Sequence, residues 1–296
     1  MVWQFASRYF RAKKSTNAIN IIAWVSVVAI AVGTGALIII LSVFNGFEGL
    51  VKSLYSSFYP AIKIIPASGK TILLSPGQLN QIKSVPGVAH FSEVIEEKAV
   101  LRYGEEPTIA VLKGVDSGCN AVTDVKSNIV RGRFDTGDSV AYRAVLGLEL
   151  EGAMEVDVER SIVPITVYVP RRNITTILTP EDALNSGTIF PVGTFAIQQE
   201  FNSKYVITNI DFMRSMLEFG PSEMSALEIA IDKNAKDTRI QSQLEQILGD
   251  KYVIQTRFEQ NQALYSIMKM EKWAVYVILT FIMIIAAFNM IGSLYM

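Results

Sequence analysis

The chain has 296 residues, of which 50% are apolar, and its mean hydropathy of +0.31 is high for a soluble protein. Its formal net charge of −1 argues against a nucleic-acid-binding protein, which needs a basic stripe. A single cysteine and a single histidine exclude an intrachain disulfide and leave almost no room for zinc sites or Ser-His-Asp triads.

The N-terminal part combines a basic cluster with a long uncharged run. Arg8, Arg11, Lys13 and Lys14 precede residues 15–47, which contain no Asp, Glu, Lys or Arg. A membrane-spanning helix needs about 20 apolar residues, and basic residues favour the cytoplasmic side. We therefore predict a cytoplasmic segment over 1–18 and a transmembrane helix over 19–47. A cleaved signal peptide is the alternative, but this run is far longer than a signal core of about 7–15 residues.

The first half of the outer region begins as a continuation of that helix. Phe44, Phe47, Val51, Leu54 and Phe58 recur at spacings of three and four, which predicts a helical stalk that stops near residue 60. "AIKIIPA" is typical of a strand, and "SPGQLNQIKSV" of a helix with a serine cap and proline at its first position. "FSEVIEEKAVLRY" and "TIAVLKGVD" flank Gly-Glu-Glu-Pro and predict a hairpin.

The second half alternates between strand and helix patterns. "IVPITVYVP" and "VGTFAIQQEF" are predicted strands on either side of a polar stretch, residues 171–188. "KYVITN" predicts a strand and "IDFMRSMLEF" a short helix after Asn209; "SALEIAID", "KDTRIQSQLEQILGD" and "KYVIQTRF" predict strand, helix and strand.

The chain ends in a second apolar run. "EQNQALYSIMKMEK" is predicted to continue without a break into residues 273–296, which carry no charge and predict a second transmembrane helix. The predicted fold is an α+β membrane protein, in which two transmembrane helices, extended as stalks, flank a large mixed α/β periplasmic domain over 48–268.

The sequence contains no complete motif for nucleotide binding or for hydrolytic catalysis. "SGKT" at 68–71 resembles a phosphate loop, but the position that needs the first glycine is Ile64. GxSxG is absent, and neighbouring carboxylates on a strand point to opposite faces. We therefore predict no catalytic, cofactor or metal site in this chain, and a protein that is not an enzyme.

The predicted membrane helices carry small residues. Ala29, Gly33 and Gly35 lie in small-xxx-small pairs on the first helix, and Gly292 lies near Asn289 on the second. Such residues let helices approach closely, and a buried amide in lipid needs a partner. We expect these positions to pack helices together, although small residues are also common in any membrane helix.

The two ends of the chain resemble a known family. "ASRYFRAKK", a long helix ending "LSVFNGFEGL", and the closing "EKWAVYVILTFIMIIAAFNMIGSLYM" resemble the N-terminal portion of the LolC/LolE-type lipoprotein-releasing permeases, of the MacB/FtsX-like permease superfamily. Phe44 replaces the methionine that those proteins typically have. "VPGVAHFSEVIEEKAVLRYG", "LKGVD" and "VGTFAIQQEFNSKYVITNIDFMRSM" follow in family order.

The resemblance implies a non-catalytic permease subunit in the bacterial inner membrane, with most of this chain in the periplasm. Its partners would be a second permease subunit, a cytoplasmic ABC ATPase that binds ATP and Mg²⁺, a LolA-like periplasmic carrier, lipoprotein cargo and membrane lipid. ATP hydrolysis on the partner would move the stalks, and the complex would lift lipoproteins from the outer leaflet and hand them to the carrier.

The resemblance also implies two sites. The carrier would dock on a protruding hairpin in the polar stretch, with Arg171, Arg172, Asn173, Ile174, Ile177 and Leu178 as candidate contacts. The lipoprotein cavity would be lined by the top of the first helix, at Val43, Phe44, Asn45, Gly46 and Phe47. Packing of Phe44 and Phe47 within their own subunit is the alternative.

The third and fourth helices expected of the family are missing from the sequence, which ends inside the second one. This indicates a truncated or partly covered permease. Two other functions remain open at this point: MacB-like efflux or FtsX-like cell-wall signalling on the same fold, and a two-helix membrane-anchored binding or sensor domain.

Overall fold

The computed structural model describes residues 17–172 and 183–295. The chain divides into two compact units. One takes the chain up to Val51 and from Gln262 onward, and the other spans Lys52–Asn261.

The first unit consists mainly of two long apolar helices, α1 (Asn17–Ser56) and α9 (Gln262–Tyr295). Each contains a stretch long and apolar enough to cross a membrane, Val27–Ser56 and Gln262–Phe288. Their apolar side chains are mostly exposed, which suits helices that face lipid rather than a protein core.

The second unit mixes strands and short helices. Its strands are β1 (Ile62–Pro66), β2 (Ile72–Leu73), β3 (Val88–Tyr103), β4 (Glu106–Val115), β5 (Ile129–Gly132), β6 (Arg143–Gly147), β7 (Ile165–Pro170), β8 (Leu184–Phe195), β9 (Tyr205–Asn209), β10 (Glu223–Met224), β11 (Ala226–Ile231) and β12 (Tyr252–Thr256). Its helices are α2 (Pro76–Ser84), α3 (Cys119–Val122), α4 (Leu148–Ala153), α5 (Gln199–Asn202), α6 (Ile210–Leu217), α7 (Asp237–Leu248) and α8 (Arg257–Gln260), with a 3₁₀ turn at Lys126–Asn128.

Ten of these strands form one sheet that partly closes on itself. The order is β12-β1-β11-β3-β4-β9-β6-β8-β5, and β7 pairs with both β3 and β8. The ring β3-β4-β9-β6-β8-β7 is therefore closed by strand pairing. The long strand β3 makes this possible, because Val88–Val94 pair with β11 and Val100–Arg102 pair with β7. An open arm, β12-β1-β11, leaves the ring at β3.

The two faces of the open arm differ in character. Ile62 and Ile64 of β1 are fully buried in the main apolar core, together with Leu227 and Ile229 of β11. Because successive strand residues point to opposite faces, Lys63 lies on the other face. That face carries charges, which are described below.

Local signals predicted the short elements well. Ser75 caps α2 in a capping box with Gln78, and Pro76 is its first residue. β3 and β4 form the predicted hairpin, but its turn has only two residues, Gly104 and Glu105, so Glu106 and Pro107 belong to β4. The φ of +73° at Gly104 explains the glycine.

Three predicted boundaries are wrong. The strand predicted to start at residue 192 starts eight residues earlier, as β8, and pairs with β7 from Ile165↔Ile189 to Pro170↔Leu184. Residues 199–202 form the helix α5 and not the end of a strand. The last helix does not run unbroken from residue 259, because Asn261 has a non-helical φ of −134° and separates α8 from α9.

The fold class is confirmed: a mixed α/β domain lies between two apolar helices along the chain.

Candidate functional site

The β7–β8 hairpin holds the first predicted site. Its ladder continues past the strands, because the backbone N–H of Arg171 donates to the carbonyl of Ala183 at 2.9 Å. Arg171 Nε also donates to Asn185 Oδ1 at 2.8 Å. The other predicted contacts, Asn173, Ile174, Ile177 and Leu178, lie outside the described residues. The structure therefore places the base of the predicted carrier-binding segment and not its tip.

Arg172 fixes the hairpin base to the rest of the domain. Its guanidinium lies 2.6 Å from Glu223 Oε1 and over the ring of Phe219, at 5.1 Å from the centroid. Burial opposes ionisation of Glu223, but hydrogen bonds from the Gly220 backbone, Thr71 and Arg172 outweigh it and lower its pKa. Arg172 is thus engaged within the domain, and the segment after it starts from an anchored position.

An aromatic cluster holds the segment that follows α1. Phe58 is 1% exposed, and its ring stacks on Phe201 with centroids 4.4 Å apart and meets Tyr205 at 4.6 Å. Tyr55 packs edge-on against Phe201 and donates a hydrogen bond to Glu200 at 3.0 Å. Large aromatic groups in such contacts bury much area and stabilise more than area alone predicts. We call Tyr55, Phe58, Phe201 and Tyr205 the aromatic anchor.

The segments that enter and leave the domain are joined to each other. Arg257 donates from its backbone N–H to the Ala61 carbonyl at 3.1 Å and from Nε to the Tyr59 carbonyl at 3.2 Å. Gln260 Nε2 donates to the Pro60 carbonyl at 3.2 Å. Residues 59–61, after α1, and residues 257–260, before α9, therefore behave as one hydrogen-bonded joint.

Four charges lie on the sheet face beside this joint. Lys113 Nζ is 2.7 Å from Glu228 Oε1 and 3.6 Å from Glu96 Oε1, and Lys63 Nζ is 2.9 Å from Glu96 Oε2. The side chains of Lys113 and Glu228 are 3% and 1% exposed. Lys113 Nζ also lies over the Phe58 ring at 4.8 Å. We call these four residues the charge quartet.

Attraction between opposite charges in the quartet determines the direction in which the pKa values of Glu96 and Lys113 shift. Burial opposes ionisation of Glu96, but Lys63 and Lys113 outweigh it and lower its pKa to about 2. Burial also opposes the charged form of Lys113, yet Glu228 and Glu96 raise its pKa. The ion pairs therefore keep Glu96 and Lys113 charged at neutral pH. They give no sign of a group tuned for proton transfer.

The top of α1 carries the residues predicted to line a lipid cavity. Phe44 and Phe47 border a small cleft with Met268 and Glu271 of α9. Val43 and Phe47 are largely exposed. Asn45 accepts a hydrogen bond from Lys272 Nζ at 2.8 Å. A Cβ at Gly46 would meet no described atom within 4 Å, so the described part of the chain does not require a glycine there for packing.

The small residues on the helices differ in what they contact. A Cβ at Gly33 would lie 3.3 Å from Met283 Sδ, whereas Gly35 and Gly292 have open space around them. Ala29 is exposed, and the side chain of Asn289 lies outside the described residues. Among the described side chains, a contact with the other helix is therefore found for Gly33 and not for Gly35 or Gly292.

We expect Gly33→Leu to push α1 and α9 apart, because the space at Gly33 is limited by Met283. Gly35→Leu is the matched control within the chain, since a Cβ there has no described atom within 4 Å, whereas at Gly33 it lies 3.3 Å from Met283 Sδ. Cysteine cross-linking between the two helices in membranes measures the effect. Equal cross-linking in both variants would contradict the role of Gly33.

No group of three or more His, Cys, Asp or Glu side chains that could hold a metal occurs among residues 17–172 and 183–295. The single cysteine, Cys119, is buried, and burial raises the pKa of its thiol. The described part of the chain thus presents a hairpin base, a hydrogen-bonded joint and a helix pair as its candidate functional features.

Comparison with known proteins places this architecture in a family. The sequence model of the MacB-like periplasmic core domain matches residues 23–247, about three quarters of the chain. The chain belongs to this family. A MacB-like domain thus accounts for the first apolar helix from residue 23 and for most of the Lys52–Asn261 unit.

Curated relatives of this MacB-like protein match along nearly its whole length. The lipoprotein-releasing system transmembrane protein LolC of Xylella fastidiosa (strain Temecula1 / ATCC 700964) is 26% identical over 97% of this chain and 67% of its own. LolC of Neisseria meningitidis serogroup B is 24% identical over 98% of this chain and 68% of its own. LolE of Haemophilus influenzae is 19% identical over 98% of this chain and 69% of its own. The resemblance to LolC/LolE-type permeases is confirmed.

The periplasmic region of MacB from Actinobacillus actinomycetemcomitans is one of the solved structures similar to this chain. It superposes with a TM-score of 0.48 at 14% identity, over 71% of this chain and 94% of that one. The assignment rests on the family match and not on this superposition.

Proposed function

We propose that this protein is a permease subunit of an ATP-driven complex that extracts lipoproteins from the outer leaflet of the inner membrane and passes them to a periplasmic carrier. The observation that carries the proposal is the similarity to LolC proteins over 97% of the chain, which includes both apolar helices and the whole domain between them. ATP and Mg²⁺ would bind to a separate cytoplasmic ATPase, and this chain would be non-catalytic.

The features of the domain suit a part that transmits motion. The joint at residues 59–61 and 257–260 would move as one body, because Arg257 and Gln260 hydrogen-bond to three consecutive carbonyls. The aromatic anchor and the charge quartet would pass that motion to the sheet. A second permease subunit, identical or related, would complete the path through the membrane.

The carrier would dock at the β7–β8 hairpin. The hairpin base is held by Arg171–Asn185 and Arg172–Glu223 contacts, so a partner at its tip would act against an anchored support. Such preorganisation lowers the entropy cost of binding. Ile174, Ile177 and Leu178 would supply apolar contacts, and Asn173 a polar one.

The docking proposal predicts that a variant without the segment loses the carrier. Replacing residues 173–182 with a short Gly-Asn turn keeps Arg171, Arg172 and the whole β7–β8 ladder, so the domain should stay folded. The bait is the full chain in detergent, the prey is periplasmic extract of the same organism, and bound proteins are identified by mass spectrometry.

We expect the unaltered chain to retain a LolA-like carrier and the shortened variant to lose it. Val140→Ser is the matched control, because Val140 is a 91% exposed residue of another loop. Undiminished capture by the shortened variant would overturn the docking site. Capture of a cell-wall hydrolase or an efflux adaptor in place of the carrier would overturn the lipoprotein-release function itself.

A further inference from the structure

A lysine of α9 lies between two polar residues of α1 at one level of the helix pair. Lys272 Nζ is 2.8 Å from Asn45 Oδ1 and 3.3 Å from Glu48 Oε2. Asn45 and Glu48 are three residues apart, so both lie on the same side of α1, one turn apart. A lysine ammonium has three donors on a flexible stem and can serve both acceptors at once.

The cleft between the helices lies at the same level. It is bordered by Phe44 and Phe47 of α1 and by Met268 of α9, and Glu48 and Lys272 also line it. Glu271 lines the cleft as well, so three apolar and three charged residues surround it. The polar contact therefore lies beside the apolar side chains of the cleft, at the point where charged residues first appear along α1. Glu48 is the first acidic residue of the sequence.

A second contact holds the helices at a deeper level. Gly33 faces Met283, and Thr34 Oγ1 lies 3.7 Å from Met283 Sδ. Asn45 lies twelve residues after Gly33, and Lys272 lies eleven residues before Met283. The two levels are thus about 18 Å apart along α1, and they match an antiparallel pair of straight helices. The lower contact carries no charge and the upper one is charged.

The environment strengthens the upper contact. Lys272 and Glu48 are 30% and 34% exposed, and each lies one residue outside the predicted transmembrane helices, 19–47 and 273–296. Near a bilayer surface the effective dielectric constant is below that of water, so an ion pair is worth more than on a soluble protein. The same surroundings make either residue costly without its partner.

We propose that Asn45, Glu48 and Lys272 form an interhelical clasp that positions the tops of α1 and α9 and sets the width of the cleft beside Phe44 and Phe47. Its use as a gate for a lipid chain rests on the proposed function; the positioning of the helices does not. Lys272 is thus a positioning residue, which acts by orienting the two helices. The Asn-Gly-Phe-Glu sequence then supplies both acceptors of the clasp, with Phe47 of the cleft between them.

The distance between the helix tops tests the clasp. Spin labels replace Leu50 of α1 and Met270 of α9, which are 57% and 66% exposed, in the full chain in lipid nanodiscs with Cys119 changed to serine. Pulsed electron paramagnetic resonance gives the distance distribution. We expect a single narrow peak for the labelled chain with Lys272 intact. Lys272→Met should broaden this peak and shift it to longer distances.

Two variants separate an ion pair from mere packing. Lys269→Met, which removes the same charge from an exposed position on the same helix, should keep the narrow peak. The exchange Glu48→Lys with Lys272→Glu should restore it, because Asn45 can donate to a carboxylate through its amide nitrogen. An unchanged peak in Lys272→Met, or no restoration in the exchange, would overturn the clasp. No carrier or cargo takes part in this measurement, so its outcome is independent of whether the chain releases lipoproteins.

Discussion

Lys113→Met is expected to destabilise the Lys52–Asn261 unit by about 3–5 kcal/mol, the usual cost of removing one partner of a buried ion pair. Lys113 is the closest cation to Glu228, at 2.7 Å, and Lys63 is 3.9 Å away. Without Lys113, the 1% exposed carboxylate of Glu228 keeps only the more distant lysine. Methionine has a similar volume, so the loss comes from charge and not from a cavity.

The measurement is amide hydrogen exchange on peptides from β3, β4 and β11, in the detergent-solubilised chain. Tryptophan fluorescence would not report on this unit, because Trp3, Trp24 and Trp273 all lie outside it. Lys98→Met, at an exposed position on β3, is the matched control and should change stability by less than about 0.5 kcal/mol.

A second variant shows whether the cause is electrostatic. Lys113→Met combined with Glu228→Gln should recover a large part of the loss, because Lys63 and Glu96 remain paired at 2.9 Å. Lys113→Met alone with wild-type protection factors would mean that the quartet contributes little. No recovery in the double variant would mean that Lys113 acts through packing.

Phe58→Ala has the second large expected effect. Phe58 is 1% exposed and contacts Phe201, Tyr205 and Lys113, so the substitution should cost about 3–5 kcal/mol through lost burial and a cavity. Because the cation–π contact is lost as well, its effect should not add to that of Lys113→Met. Phe58 also stacks on Phe195, the last residue of β8, with centroids 6.3 Å apart. Hydrogen exchange of residues 53–60 should rise more than that of strand β7.

Phe190→Ala provides the comparison, since Phe190 is an aromatic residue of the same unit that is 40% exposed. Its cost should be smaller, because 40% of Phe190 is already exposed in the folded protein and its removal loses less buried area. Similar losses in both variants would count against a special role of the aromatic anchor. Exact additivity with Lys113→Met would show that the ring and the ammonium do not interact.

Much of the fold could be predicted from local signals in the sequence. Ser75-Pro76 and Asn209 begin helices because their side chains accept hydrogen bonds from the next turn, and this needs no tertiary information. Local signals did not place residues 184–188 in a strand. Their sequence, Leu-Asn-Ser-Gly-Thr, has little β propensity, and their pairing with β7 makes them the start of β8.

The charge quartet shows a different limit. Lys63, Lys113 and Glu228 each stand alone in an apolar strand, in "IKIIP", "AVLKGV" and "ALEIAI", and an isolated charge in such a setting indicates a buried partner. Which charges meet depends on the strand order β1-β11-β3-β4, and that order joins segments up to 165 residues apart. The joint at Arg257 and Gln260 was hidden for the same reason, because it joins chain segments about 200 residues apart.

The closed ring of six strands has a consequence for how force passes through the domain. An open sheet can twist by fanning its strands, but a closed tube resists torsion because each strand is held on both sides. The β7–β8 ladder, up to the Pro170↔Leu184 pair, is part of this ring and not a loop set on a surface. A force applied to β7 and β8 would therefore pass by strand pairing to β3 and β6, and β3, which belongs to both the ring and the open arm, would carry it to β11.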